Sequence, residues 1–401
     1  MSERPHIEGI VVEPRSARRQ LVFTGDDTQV LRCEIDRDGI CRNAEKQSIP
    51  GIDNSGEFTT PGLIDIQVNG FAGVDFNGPG LDVKKMDHAL AHLAASGVSC
   101  VLPTLITAFE SELVDQLRAL DQAVSKSTLG PFMVAGYHIE GPFLSPNEGS
   151  SGAHPAAAMI PASQGLVEKL MAVTSRPLRI MTVAPEQEGV CELIPFLLQN
   201  AIACAIGHTA ASREEISAAI GAGATLSTHL GNGLPHTLNK HENPLFTQLG
   251  RDELSASFIA DGVHIHPETL QTYIRAKTLA RTIIVTDAVS AAGKDVGAGI
   301  YKLAKTEIER KPDGSVRIPG STYLAGSSAT MDQMVRNLMK WYGFSMSDIL
   351  QVARKNPGAF IGEFLNDPGA GSRADLVSWR RVETKLQVVE TSIGPWTVRS
   401  A

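Results

Sequence analysis

The sequence predicts an α/β fold, a (β/α)8 barrel carrying a small β module. Three observations predict it. From residue 61 onward, eight short runs rich in β-branched residues alternate with segments whose apolar residues recur near a helical period. That alternation requires parallel strands joined by crossover helices, and eight units is the number that closes a barrel. Before residue 61 and after residue 373 the text is instead turn-rich and strand-like. Finally, 401 residues, 42% hydrophobic and 20% charged, suffice for one large core and a small satellite.

Taken in order, residues 7–12, 21–24 and 30–35 are short β-type runs, the last closed by Asp38-Gly39, and read as an antiparallel module. Barrel strands are expected at 63–68, 99–105, 132–139, 178–183, 202–206, 225–229, 255–259 and 282–286. Helices are expected at 83–95, 110–124, 165–173, 213–222, 267–278 and, after the eighth strand, 328–341. The interval 293–323 breaks this rhythm. Its β-type runs flank Pro312-Asp313-Gly314, a type I or II turn sequence, and predict a β-hairpin inserted after strand eight. Residues 374–379 and 386–398 return to strand-like text and can complete the amino-terminal module.

Composition excludes several function classes. Lys and Arg sum to 36 against 44 Asp and Glu, and a net charge of −8 offers no basic surface to a polyanion, so no nucleic-acid partner is expected. The cysteines Cys33, Cys41, Cys100, Cys191 and Cys204 are odd in number, scattered and never paired as C-x-x-C. Neither a disulfide framework nor a thiolate zinc site follows, and a reducing cytoplasm is the expected setting. The opening Met-Ser-Glu-Arg-Pro-His has no apolar signal core, and no stretch approaches the ~18 apolar residues of a membrane span. No membrane partner is expected.

Barrels of this kind place their chemistry at the C-terminal ends of the strands. Polar residues concentrate there: Gln67 and Asn69 after strand one, His138 and Glu140 on strand three, His208 after strand five, His229 after strand six, Asp287 after strand eight. Period-two alternation sets Gln67 with Asn69, and His138 with Glu140, on one face; if that face is the interior, Glu140, His208, His229 and Asp287 converge. One carboxylate and two imidazoles suit a catalytic divalent metal, leaving a position for water or substrate. Any one of these histidines would equally suit a hydrogen bond at a loop start, but four such residues at strand ends argue for a site. Asp287 ends the buried run Ile283-Ile284-Val285-Thr286, where a carboxylate is costly unless partnered. Met331 and Met334, on one helical face, are expected in the core.

The phrases HIEGPF, GHT, THLGNG, ADGVHIHP, TDAVSAAG and YLAGSSATM, in this order and spacing, resemble the N-acetylglucosamine-6-phosphate deacetylases of the amidohydrolase superfamily. The resemblance runs over nearly the whole chain. It implies a metal-dependent hydrolase barrel over residues 61–364, with the inserted hairpin near 293–323, and a small β-sandwich from residues 1–60 and 365–401. It implies hydrolysis of the acetamide of an amino-sugar phosphate, one divalent ion per chain on Glu140, His208 and His229, and Asp287 as general base and later acid. Zinc is the first expectation for the ion, with Fe2+, Co2+ or Mn2+ as alternatives. Gln67 and Asn69 stand where many amidohydrolases carry His-x-His for a second metal, and neutral amides are poor ligands for a zinc-like ion, so one metal is expected.

For the substrate, the resemblance implies contacts from Ala153 and His154, from Asn232 and Gly233 at the phosphate end, from Asp261 and His264 in the ADG-x-H segment, and from Leu324, Ala325 and Gly326 in the hairpin. The loop from Glu140 to His154 is about two residues longer than usual. The clear departure is PHTLNKHENP at 235–244, where the family carries Arg-Glu-Pro-Gly and the arginine reaches a phosphate across a homodimer interface. Lys240 takes the ungapped position, with His236 and His241 nearby. Lysine binds phosphate as a point charge without the bidentate fork, so the phosphate is held differently or the substrate is an unphosphorylated or different N-acyl compound. A non-catalytic barrel scaffold is the reading from another class, and Glu140, His208, His229 and Asp287 together argue against it.

Overall fold

In the computed structural model, residues 9–25, 29–48, 56–362, 368–383 and 385–400 are described. Eight parallel strands pair in chain order: Leu63–Val68, Val98–Ile106, Tyr137–Glu140, Leu178–Val183, Ala203–Ile206, Leu226–Ser227, Ser255–Phe258 and Thr282–Ile284. Strands one and eight meet only near their C-terminal ends, where Val68 bridges Ala288. There the Asp287 N–H donates to Gln67 O at 3.0 Å and the Asn69 N–H to Ala288 O at 2.7 Å. The seam is therefore sewn by the residues that the sequence marks for chemistry. At the other end of the seam, Arg354 Nη1 donates to Gly62 O at 2.6 Å and Asn356 Nδ2 to Thr282 O at 2.6 Å, so a polar helical turn fills the gap.

The helices form where capping and apolar period agree. Val83–Ala94 opens on Asp82, whose side chain accepts from the Lys85 N–H, and buries Met86, Leu90 and Leu93. Arg213–Ala222 opens on a Ser212/Glu215 capping box and stops at Gly223 with φ of 117°. Two further helices, Val190–Gln199 and Pro244–Leu249, complete the layer around strands four to seven. Pro195 lies inside the first of them and breaks up its sequence signature. The run at 132–139 departs from expectation. Its first residues belong to a helical turn, Gly130–Met133, set by Pro131 and by Ser127 Oγ accepting from the Gly130 N–H, and the strand begins only at Tyr137.

Both chain ends build one mixed sheet, in the order Ile10–Pro14, Trp396–Ser400, Lys385–Ile393, Leu376–Val382, Glu57–Pro61, Arg18–Phe23, Gln29–Ile35 and Cys41–Ser48. Its buried anchor is Trp379, whose indole N–H donates to Thr60 Oγ1 at 2.9 Å. The edge strand Cys41–Ser48 is mostly exposed and polar, and so carried no hydrophobic alternation to announce it. The start of the expected run at residue 7 and the boundary at residue 365 lie outside the described residues.

The insertion after strand eight is a three-stranded antiparallel sheet, Gly299–Leu303, Thr306–Arg310 and Val316–Arg317, not a single hairpin. Its first turn is at Ala304, with φ of 54°, a position that no glycine advertises; Pro312-Asp313-Gly314 joins the second strand to the third. Leu303, Ile308, Val316 and Ala325 form a small apolar cluster of their own with Ile106 and Val289. Asp75 Oδ2, accepting from the Ala304 N–H at 2.8 Å, and Ser290 Oγ, donating to Lys302 O at 2.6 Å, tie the sheet to the loops after strands one and eight. Among the described residues no helix is long and apolar enough to cross a membrane.

Candidate active site

His208, His229 and Asp287 all have left-handed backbones, with φ of 50°, 28° and 48°. Such conformations cost about 1–3 kcal/mol each in non-glycine residues and persist only where surroundings enforce them. Here they follow the last paired residue of strands five, six and eight. The His229 N–H is held by Ser257 Oγ at 2.7 Å, and Gly233 approaches the His208 ring so closely that a Cβ there would sit 2.8 Å from Nδ1. The loop after strand six can close over that imidazole only with glycine at 233.

Glu140 is the centre of the cluster. Its Oε1 lies 2.9 Å from His229 Nε2, 3.3 Å from His208 Nε2 and 3.1 Å from Gln67 Nε2. The two imidazole Nε2 atoms are themselves 3.2 Å apart. Burial works against the Glu140 anion, yet the imidazoles of His208 and His229 beside it hold its carboxyl well below the usual range. Burial also opposes charge on His229, but Glu140 outweighs it and raises that imidazole to about 9. For Asp287 burial wins: the carboxyl is pushed up to about 6, with His229 pulling it down and Glu140 pushing it up.

The donor set fits a divalent ion. His208 Nδ1 faces the Ser150 carbonyl at 2.8 Å, so that nitrogen carries the proton and Nε2 turns a lone pair toward Glu140. A carboxylate oxygen and two Nε2 atoms within 3.3 Å of one another are spaced as ligands on one small cation are. The ligating atoms of Glu140, His154 and His208 also lie within 4.8 Å of one another, which raises His154 as a competing ligand. Hydrogen bonding argues against it. The Thr107 N–H donates to His154 Nδ1 at 3.3 Å, with Thr107 Oγ1 3.0 Å from the same nitrogen, and the N–H contact favours a proton on Nε2, which faces Glu140 at 3.7 Å from Oε2. Burial, then His208, pushes His154 down to about 3, which keeps it neutral.

A cavity of about 260 Å3 opens from this cluster. Of the expected substrate contacts, Ala153, His154, Asn232, Gly233, His264, Leu324 and Gly326 line it. Asp261 does not. Its carboxylate accepts from the Val263 and His264 N–H groups and lies 2.7 Å from His264 Nδ1, so it orients His264 instead of facing the cavity. Ala325 is turned into the apolar cluster of the inserted sheet. Lys240 is exposed and lines no part of the cavity in its own chain. His236, Thr322 and Tyr323 line the cavity as well, with the His236 and Tyr323 rings 5.1 Å apart and the Tyr323 hydroxyl donating to Glu148. Tyr323 directly precedes the Leu324-Ala325-Gly326 segment and was the legible signal that sequence reasoning passed over. His138 lies outside the cavity lining: Nδ1 meets Ile66 O at 3.0 Å and Nε2 meets Thr182 Oγ1 at 2.8 Å, and burial lowers it to about 4.

No family model matches the chain. Among curated proteins it is similar to the N-acetylgalactosamine-6-phosphate deacetylase of Escherichia coli O157:H7, 32% identical over 368 residues, which are 90% of this chain and 93% of that protein. It is 35% identical to the N-acetylglucosamine-6-phosphate deacetylase of Homo sapiens over 325 residues, 77% of this chain and 76% of that protein. Among solved structures, an N-acetyl-D-glucosamine-6-phosphate deacetylase variant from Mycobacterium smegmatis, in complex with N-acetyl-D-glucosamine-6-phosphate, matches with a TM-score of 0.81 at 27% identity, covering 94% of this chain and 99% of that one.

Proposed function

Since the chain belongs to the N-acetylglucosamine-6-phosphate and N-acetylgalactosamine-6-phosphate deacetylases of the amidohydrolase superfamily, which release acetate from an N-acetylhexosamine 6-phosphate, we propose that its substrate is N-acetylglucosamine 6-phosphate and its products glucosamine 6-phosphate and acetate. The observation that carries the reading is the buried Glu140–His208–His229 cluster with Asp287 beside it at the open end of the barrel. The galactosamine epimer is the second reading, favoured by the E. coli relative that aligns over 90% of this chain. A homodimer goes with the family reading.

Glu140, His208 and His229 would hold one divalent ion, with zinc the best match to a carboxylate and two imidazoles; when bound, such an ion polarises the scissile carbonyl and acidifies the attacking water. Asp287, buried yet ionisable near neutrality, accepts the proton of that water. His154 Nε2–H donates to the carbonyl oxygen as negative charge develops there. Asp287 then delivers its proton to the leaving nitrogen as the C–N bond breaks, so water and amide become acetic acid and amine, and the remaining acid proton passes to the amine to leave acetate and ammonium at neutral pH. His264, fixed by Asp261, and the Asn232-Gly233 turn receive the far end of the sugar phosphate. The test is release of acetate and primary amine from N-acetylglucosamine 6-phosphate, N-acetylgalactosamine 6-phosphate and the two unphosphorylated sugars. Preference for the first compound supports the proposal; preference for the second moves the assignment to the other epimer.

A further inference from the structure

The cluster as described leaves the inward residues of strand one without a role. Gln67 and Asn69 are carboxamides, 1% and 2% exposed. Each gives an N–H to one of the two carboxylates on which the chemistry depends: Gln67 Nε2 to Glu140 Oε1 at 3.1 Å, and Asn69 Nδ2 to Asp287 Oδ1 at 2.7 Å. An ionised carboxylate only accepts, so in each contact the amide must turn its NH2 group toward the acid. The strand-one backbone is locked to the same seam, with the Asp287 N–H on Gln67 O and the Asn69 N–H on Ala288 O. The reach of each amide to its acid is therefore fixed. The other polar atom of Asn69, Oδ1, is buried with no partner among the described residues, so among them Asp287 alone orients the side chain by hydrogen bonding.

We propose that Gln67 and Asn69 are positioning residues with divided roles: Gln67 orients the metal-ligating carboxylate of Glu140, and Asn69 orients the carboxylate of Asp287 toward the attacking water and the leaving nitrogen. The Asn69 half rests on the deacetylase reading, because it needs Asp287 to be the base. A neutral amide suits both tasks. It fixes an anion by hydrogen bonding without competing for the ion, and without placing a positive charge that would hold the base permanently unprotonated.

Near-isosteric removal of each donor separates the roles. Gln67→Met and Asn69→Leu are prepared with the wild type, zinc-loaded and challenged with a chelator while zinc release is followed; kcat and KM are measured on N-acetylglucosamine 6-phosphate. Loss of a partner that orients a ligand or a base costs roughly 10–100-fold. Asn69→Leu should lower kcat by about that factor while KM and zinc retention stay near wild type, and Gln67→Met should release zinc about 10–100-fold more readily. Asn69→Asp keeps the side-chain shape and sets a carboxylate against Asp287; it should show the same loss of kcat if the leucine variant fails to fold. Native kcat in the folded Asn69 variants, zinc loss from them equal to that of Gln67→Met, or wild-type zinc retention in Gln67→Met overturns the division. A wild-type chain that holds zinc but turns over no N-acetylhexosamine 6-phosphate overturns the substrate reading and the Asn69 half with it; zinc release still decides the Gln67 half.

Discussion

His208 and His154 are both buried histidines beside Glu140, and what separates them is the partner of Nδ1. A carbonyl opposite His208 leaves the inner nitrogen a lone pair; a backbone N–H opposite His154 leaves it a proton. On the proposed reading the first serves as a ligand and the second as a donor. His208→Ala should lose most of its bound metal by elemental analysis, whereas His154→Ala should keep it and lose kcat; full occupancy in His208→Ala would remove it from the ligand set. Asp287→Asn keeps the shape of the proposed base but removes its proton acceptor, and kcat should fall on the order of 10²-fold or more with metal still bound. Near-native turnover in that variant would assign water activation elsewhere. Glu140, His208, His229 and Asp287 were legible in the sequence because a barrel strand aims its last residues at one place. Asp261 and Ala325 were legible only as members of the right segments. Which way a loop side chain turns depends on partners outside the segment, and here a local turn captured one and an apolar cluster the other.

The element that matters most is the seam between strands one and eight, where the ladder is short and side chains replace it. Asp65 accepts there from Thr286 Oγ1 at 2.6 Å, from the Thr286 N–H at 3.2 Å and from the Gln67 N–H at 3.3 Å. Burial nonetheless pushes its carboxyl up to about 7, with those donors pulling the other way. A folded-state pKa above the unfolded one means that the fold favours the neutral acid. This contribution is complete below the unfolded value, near 4, and is lost as pH rises through about 7. Asp65→Asn should therefore flatten the pH dependence of the denaturant midpoint between pH 4 and 7, and slopes equal to wild type would show that the donors hold Asp65 ionised throughout. At this scale the alternation of strands and helices was readable because burial imposes periods of 2 and 3.6. The polar edge strand Cys41–Ser48, the proline-containing helix Val190–Gln199 and the turn at Ala304 were not, since each is held by neighbours and not by its own pattern.

Over the whole molecule, an anionic substrate meets a chain of net charge −8, and among the described residues no lysine or arginine lines the cavity. If Lys240 serves the phosphate, it must therefore do so in the site of a second copy. A charge-assisted contact of this kind is worth roughly 1.5–3 kcal/mol, so Lys240→Ala should raise KM for the 6-phosphate about ten-fold or more, with kcat largely kept and the effect fading as salt rises. Mixing Lys240→Ala with Asp287→Asn subunits should then restore part of the activity, because one site of the mixed dimer has both parts intact. An unchanged KM, or no recovery on mixing, removes Lys240 from phosphate binding. Sequence reasoning could place Lys240 by its ungapped position but not by reach, since nothing within one chain encodes where a partner's loop ends. Metal-dependent deacetylation by the Glu140–His208–His229–Asp287 group is tested most directly by acetate release from N-acetylglucosamine 6-phosphate and N-acetylgalactosamine 6-phosphate by metal-loaded protein, chelator-stripped protein and Asp287→Asn. Turnover of at least one 6-phosphate by the loaded wild type, abolished by stripping, regained with a divalent ion and absent from the variant, is the predicted result; release that survives both stripping and the Asp287 substitution, or no release from either sugar phosphate, would contradict it.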